Sequence, residues 1–84
     1  MNNLNTSTIF TPNFKHYIEV VKLYSKVHRN HTYGKILYKV LKLCDPKLAK
    51  KIKGSKLDPR YTNDPLIISK FFKKVQTKWD QYEN

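Results

Sequence analysis

The sequence is short of almost everything that catalytic or extracellular chemistry draws on. One cysteine, Cys44, stands in 84 residues, so no intrachain disulfide can form and a reducing compartment is the expected setting. Two glycines, Gly34 and Gly54, cannot build a glycine-rich phosphate loop. The six acidic residues are Glu19, Asp45, Asp58, Asp64, Asp80 and Glu83. Asp45 and Asp64 each precede a proline and read as helix caps, which leaves only Asp58 with Asp64 as a carboxylate pair for acid–base work or magnesium. No apolar run approaches the roughly 18 residues of a membrane span. The opening MNNLNTSTIFTPN has neither the basic stretch nor the apolar core of a secretory signal.

Metal and thiol chemistry are equally thin. His28 and His31 are three residues apart, His16 is a helix away, and Cys44 is the sole thiol. A structural zinc site takes four ligands, usually in close pairs. Cys44 also falls on an apolar stripe, which favours a packed thiol over a nucleophile paired with histidine. The expectation is a non-enzymatic protein with no metal and no cofactor.

What is abundant is lysine. The chain carries 17 basic against 6 acidic residues, a formal charge of +11, and only Arg29 and Arg60 are arginine. An AT-rich coding sequence accounts for Lys exceeding Arg, but less well for the scarcity of Asp and Glu. Polyanions are the usual physical reason for such an imbalance, nucleic acid first and an anionic membrane surface second. Lysine is a point charge on a flexible stem, suited to phosphates rather than to base edges. The densest stretch, Lys35 to Lys56, holds eight lysines and one acid, Asp45. The predicted nucleic-acid (DNA or RNA) surface is therefore Lys35, Lys39, Lys42, Lys50, Lys53, Lys56 and Arg60. Tyr38, taken as lying off its helix's apolar stripe, and Tyr61, beside Arg60, are the preferred base-stacking residues among Tyr24, Tyr33, Tyr38, Tyr61 and Tyr82.

Hydrophobic residues make up 39% of the chain, with six Tyr, four Phe and one Trp, enough for one compact core. Residues 1–10 read as a flexible lead-in, with Ile9 and Phe10 available to dock, and 11–84 as one all-α domain of about four helices. Thr11 and Pro12 read as cap and first residue of the first helix, with Phe14, Tyr17, Ile18, Val21, Tyr24 and Val27 or His28 inward. The second helix, 33–44, puts Tyr33, Ile36, Leu37, Val40, Leu41 and Cys44 inward and Lys35, Lys39 and Lys42 outward, with Gly34 in its first turn. Asp45, Pro46 and Gly54 punctuate a short third helix with Leu48, Ala49 and Ile52 inward. The fourth opens at Asp64-Pro65 and buries Ile68, Phe71, Phe72, Val75, Trp79 and Tyr82.

Two other readings of the basic helices carry less. Helices 33–44 and 46–53 are joined as tightly as a helix–turn–helix, but the second offers no Asn, Gln or Arg to read bases. KLAKKIKG resembles a cationic amphipathic peptide, but its apolar residues are needed for the core and its face is too small for interfacial binding. A membrane is not expected as a partner.

The break GSKLDPRYTNDP divides into parts. Gly54 ends a helix, Asp64-Pro65 starts the next, and Leu57 is the expected tether to the core. Asp58-Pro59 reads as a turn, which leaves Arg60 and Tyr61 either in a structural connector or against a partner.

The stretch from Gly34 to Tyr82 resembles a family of small, uncharacterised phage and bacterial proteins with the motif Ile-x-Gly-Ser/Thr-x-x-Asp-Pro-x-Tyr. The matching positions are Gly34, Leu37, Leu41, Pro46, Leu48, Ile52, Gly54, Ser55, Asp58, Pro59, Tyr61, Phe71 and Trp79. Arg60 stands where the family has an aromatic residue, and its acidic pair appears as Asn63-Asp64, one residue later. The resemblance implies a small helical phage-type protein acting in a bacterial host cytoplasm, and no particular activity. The alternative to a nucleic-acid partner is a host defence or replication protein that this chain inhibits or modulates. Self-association through aromatic side chains of the last helix stays open.

Overall fold

The computed structural model describes residues 13–81, and within them the chain forms four α-helices and no strand. Helix α1 (Phe14–Val27) starts at Asn13, whose side chain accepts a hydrogen bond from the His16 amide at 3.0 Å. The cap of this helix is thus Asn13, where the sequence pointed to Thr11, and its first helical residue is Phe14. Thr11 and Pro12, the lead-in over 1–10 with Ile9 and Phe10, and Tyr82 all lie outside the described residues.

After α1 the chain turns at His28–His31, where the His31 amide donates to the His28 carbonyl. Thr32 then caps α2 (Tyr33–Cys44). A single residue, Asp45, both ends α2 and starts α3 (Pro46–Ile52). Its amide donates to the Leu41 carbonyl at 2.7 Å, and its carboxylate accepts from the Leu48 amide. Gly54, just past α3, has φ of +76°, the left-handed conformation that favours glycine at a helix end. A one-turn 3-10 helix follows at Pro59–Tyr61, capped by Asp58. Helix α4 (Pro65–Asp80) is capped by Asp64, with Pro65 in its first turn.

The core gathers around α2. Ile36, Leu37, Tyr38, Val40 and Leu41 are buried with Tyr17 and Val21 of α1, Leu48, Ala49 and Ile52 of α3, and Phe71, Val75 and Trp79 of α4. Phe14, Ile18, Tyr24, Cys44, Leu57, Ile68 and Phe72 pack against this cluster. Each large side chain removed from water stabilises the fold by about 1.5–3 kcal/mol. Of the alternatives Val27 and His28 at the end of α1, His28 is half-buried and Val27 is 76% exposed; Tyr33, expected inward, is 53% exposed at the start of α2.

Two polar contacts tie the helices together. The Tyr17 hydroxyl donates to the Leu37 carbonyl at 2.7 Å, and burial, followed by Cys44 and Tyr33, drives its pKa far above the ordinary phenol range. The Trp79 indole Nε1–H donates to the Asp45 carboxylate at 2.8 Å. The Trp79 and Tyr17 rings meet edge to face, 5.4 Å apart, the arrangement their quadrupoles favour.

Gly34 is fixed by the turn that packs on it. A Cβ built there would fall onto the Pro59 carbonyl oxygen and lie 2.8 Å from its carbon. Its position in the first turn of α2 is therefore a matter of close backbone approach, beyond the low cost of glycine near a helix end.

Candidate nucleic-acid interface

The Asp58–Arg60 pair answers the question left by the GSKLDPRYTNDP break. The Asp58 carboxylate accepts from the Gly54 amide at 2.7 Å and the Arg60 amide at 3.0 Å. The Arg60 guanidinium adds Nε–H bonds to both carboxylate oxygens, at 3.0 and 3.1 Å, and an Nη bond at 2.8 Å. Burial pushes the Asp58 carboxyl up, but the Arg60 side chain, the two amides and the guanidinium charge outweigh it and hold the group below the usual carboxylate range. The carboxylate in turn raises the Arg60 pKa.

The guanidinium also lies over two rings, 4.7 Å from the centroid of Tyr38 and 4.8 Å from that of Tyr61. This cation–π sandwich corrects two sequence expectations. Tyr38 does not stand off the apolar stripe: it is 8% exposed and covered by Arg60, because the 3-10 turn packs on α2 and widens its buried face. Its ring is closed to a base. Arg60 is held by Asp58, with 21% of its side chain exposed, so its charge is neutralised in place. Tyr61 is 77% exposed, with the guanidinium against its ring. The Asp58–Arg60 part of the loop is a structural connector, and only the free side of Tyr61 offers anything to a partner.

The nominated lysines do face solvent. Lys35, Lys39 and Lys42 are exposed along one side of α2, as are Lys50 on α3 and Lys53 and Lys56 around Gly54. Along α2 the rise from Lys35 to Lys39 is about 6 Å and from Lys39 to Lys42 about 4.5 Å. Among the described residues none of these six lysines forms an ion pair, whereas Arg60 pairs with Asp58.

Packing then sorts them into places the sequence does not indicate. Lys39 and Lys42 meet Tyr24, Leu43 and Pro46 around a cleft of about 450 Å³. Lys47 and Lys51 of α3 meet Lys78 of α4, with Leu48 and Gln81, around a hollow of about 250 Å³. Pro46 and Lys47 are neighbours in the chain, so the two basic hollows flank the start of α3. Lys47, Lys51 and Lys78 stand outside the set of basic residues to which the sequence points. The i, i+4 spacing of Lys47 and Lys51 signals a shared face, but nothing local places Lys78 beside them.

The acids sharpen the imbalance. Asp45 and Asp58 are 8% exposed, and Asp64 caps α4 through the Leu66 amide. The lysine surface is thus less neutralised than composition alone suggests. Cys44 is half-buried, and burial followed by the nearby Asp45 pushes its thiol up, away from the reactive thiolate. His28 lies between Tyr24 and His31, at 4.0 and 5.3 Å between ring centroids. Among the described residues no three His, Cys, Asp or Glu side chains gather as a metal-ligand set, and no helix is long and apolar enough to cross a membrane.

Compared with models of protein families, with curated proteins and with solved structures, the chain matches none.

Proposed function

We propose that this protein is a small, non-enzymatic accessory protein of the phage type its motif resembles, acting in the bacterial cytoplasm by binding nucleic acid through phosphate contacts. The observation that carries the reading is the disposition of charge. All fifteen lysines lie within the described residues, and every one is exposed except the half-buried Lys78, while two of the six acids are buried as helix caps. The binding surface runs along α2 through Lys35, Lys39 and Lys42 and over the start of α3 to Lys47, Lys51 and Lys78. Lys50, Lys53 and Lys56 extend it, and Arg60 and Tyr38 leave the set. A lysine surface of this kind binds DNA or RNA with little base discrimination and a steep dependence on salt.

Fluorescence anisotropy with labelled duplex and single-stranded DNA and RNA, at about 50 and about 200 mM salt, tests the reading. The expected result is an affinity that falls linearly on a log–log salt plot, with a shallower slope for Lys39→Gln/Lys42→Gln. No binding to any of the four at the lower salt sinks it.

A second reading has its own observation. The outer side of α1 exposes Leu23 (62%) and Val27 (76%), and His16, Glu19, Val20, Lys22, Leu23 and Lys26 line a shallow groove there. Such a surface suits a protein partner, as in a modulator of a host protein. Binding to host protein that survives nuclease treatment and is lost on Leu23→Asp favours it.

A further inference from the structure

Within the nucleic-acid reading, on which this inference rests, the geometry points to the cleft between α1 and the end of α2 as a site for an unpaired nucleotide. Its base would lie against Tyr24 and Leu43 and its phosphates against Lys39 and Lys42. Three observations converge there. First, the cleft, at about 450 Å³, is within the range that small ligands occupy. Second, its wall is apolar where its rim is cationic. Leu43 is 71% exposed and lines the cleft together with Lys39, Lys42 and Pro46. No acidic side chain lines the cleft.

Third, the aromatic residue is already held in place. Tyr24 packs against the core, and its ring is stacked on His28 at 4.0 Å with 26° between planes. His28 in turn lies against His31 at 5.3 Å. A ring fixed in this way loses little freedom when a base stacks on it, which is how aromatic platforms in single-strand binders gain affinity. A duplex keeps its bases paired and stacked, so it reaches the lysines but not the cleft. An acidic amphipathic peptide satisfies the rim and Leu43, but makes less use of a fixed ring.

The test compares a labelled oligothymidine with a duplex of equal phosphate number, by anisotropy at one low salt concentration. Stacking a single base is worth enough to give roughly a 5-fold to 150-fold effect. The wild-type protein is expected to prefer the single strand by at least about 5-fold. Tyr24→Leu and Leu43→Ala are expected to remove that preference, leave duplex binding unchanged and leave the far-UV circular dichroism intact, while Tyr24→Phe keeps the preference. Leu43 is exposed, so its variant reports on the site even if Tyr24→Leu unfolds. Equal affinity for strand and duplex, or equal loss on both in the Leu43→Ala protein, overturns the cleft assignment and leaves the phosphate reading standing. Absence of binding to either takes the phosphate reading down as well. A Glu-rich amphipathic peptide that binds tighter than oligothymidine and loses affinity on Leu43→Ala overturns the nucleotide assignment in favour of a protein ligand.

Discussion

Asp45-Pro46 and Asp64-Pro65 are the same dipeptide doing the same local job, yet they hold the molecule together to different degrees. At both, the aspartate caps a helix and the proline occupies its first turn. The Asp64 carboxylate, exposed, serves the amide two residues on. That of Asp45, buried, serves the Leu48 amide with one oxygen and the indole of Trp79, 34 residues away, with the other. A third Asp-Pro step, Asp58-Pro59, lies between them in kind. Its carboxylate bonds stay within four residues, but its proline carbonyl seats against Gly34 on another helix. A cap's contribution depends on what else its side chain and its turn meet once the helices have packed.

The largest effect is expected from breaking the seat of the middle step. Gly34→Ala puts a methyl group onto the Pro59 backbone, which cannot yield as a flexible side chain would. The turn must lift off α2, at about 4 kcal/mol or more, a loss of the size reserved for named core and backbone defects. In a domain whose whole stability is of order 5–15 kcal/mol, urea unfolding followed by the emission of the single tryptophan should show a far lower midpoint or no folded baseline.

Asp45→Ala comes next. It removes a cap, worth about 0.5–2 kcal/mol, and leaves the buried Trp79 N–H without a partner, at about 1–3 kcal/mol. The sum is about 1.5–5 kcal/mol, centred near about 3 kcal/mol. A cycle with Trp79→Phe, followed by circular dichroism, should recover a coupling above about 0.5 kcal/mol. Strict additivity would mean that the indole contact contributes nothing.

Asp58→Asn tests the middle step through pH. The folded-state pKa of Asp58 is depressed, so its contribution is fully present above the unfolded value of about 3.9 and is lost as pH falls through the lower folded value. The variant is expected to be less stable by about 1–2 kcal/mol at neutral pH, from weaker capping and hydrogen bonding. Unfolding curves from about pH 7 to about pH 2 should show that gap constant above about pH 5 and closing below about pH 4. A gap that persists unchanged at the acid end contradicts the role given to the carboxylate.

The smallest effect belongs to Asp64→Ala, about 0.5–1 kcal/mol as for an exposed cap, read from the same denaturation midpoint. A loss equal to that of Asp45→Ala would erase the distinction between the two junctions.

What the sequence by itself determined was everything governed by neighbours up to about four residues apart. Helical spacing placed Leu37, Leu41, Leu48, Ile52, Phe71, Val75 and Trp79 inward. The caps at Asp45 and Asp64 and the left-handed Gly54 were legible because a cap and its amide belong to one turn of chain. The outward lysines of α2 followed from the same period. Tertiary structure decided the rest, because contacts between helices depend on which faces meet, and periodicity leaves that open. Packing of the 3-10 turn on α2 buried Tyr38 and gave Gly34 its reason. The placement of α4 against the junction of α2 and α3 joined Asp45 to Trp79 and brought Lys78 beside Lys47 and Lys51. The pairing of Arg60 with Asp58 spans only two residues, yet it needed the folded turn to aim both side chains at one another. With that pairing made, Arg60 left the candidate interface and the cleft beside Tyr24, Lys39, Lys42 and Leu43 took its place.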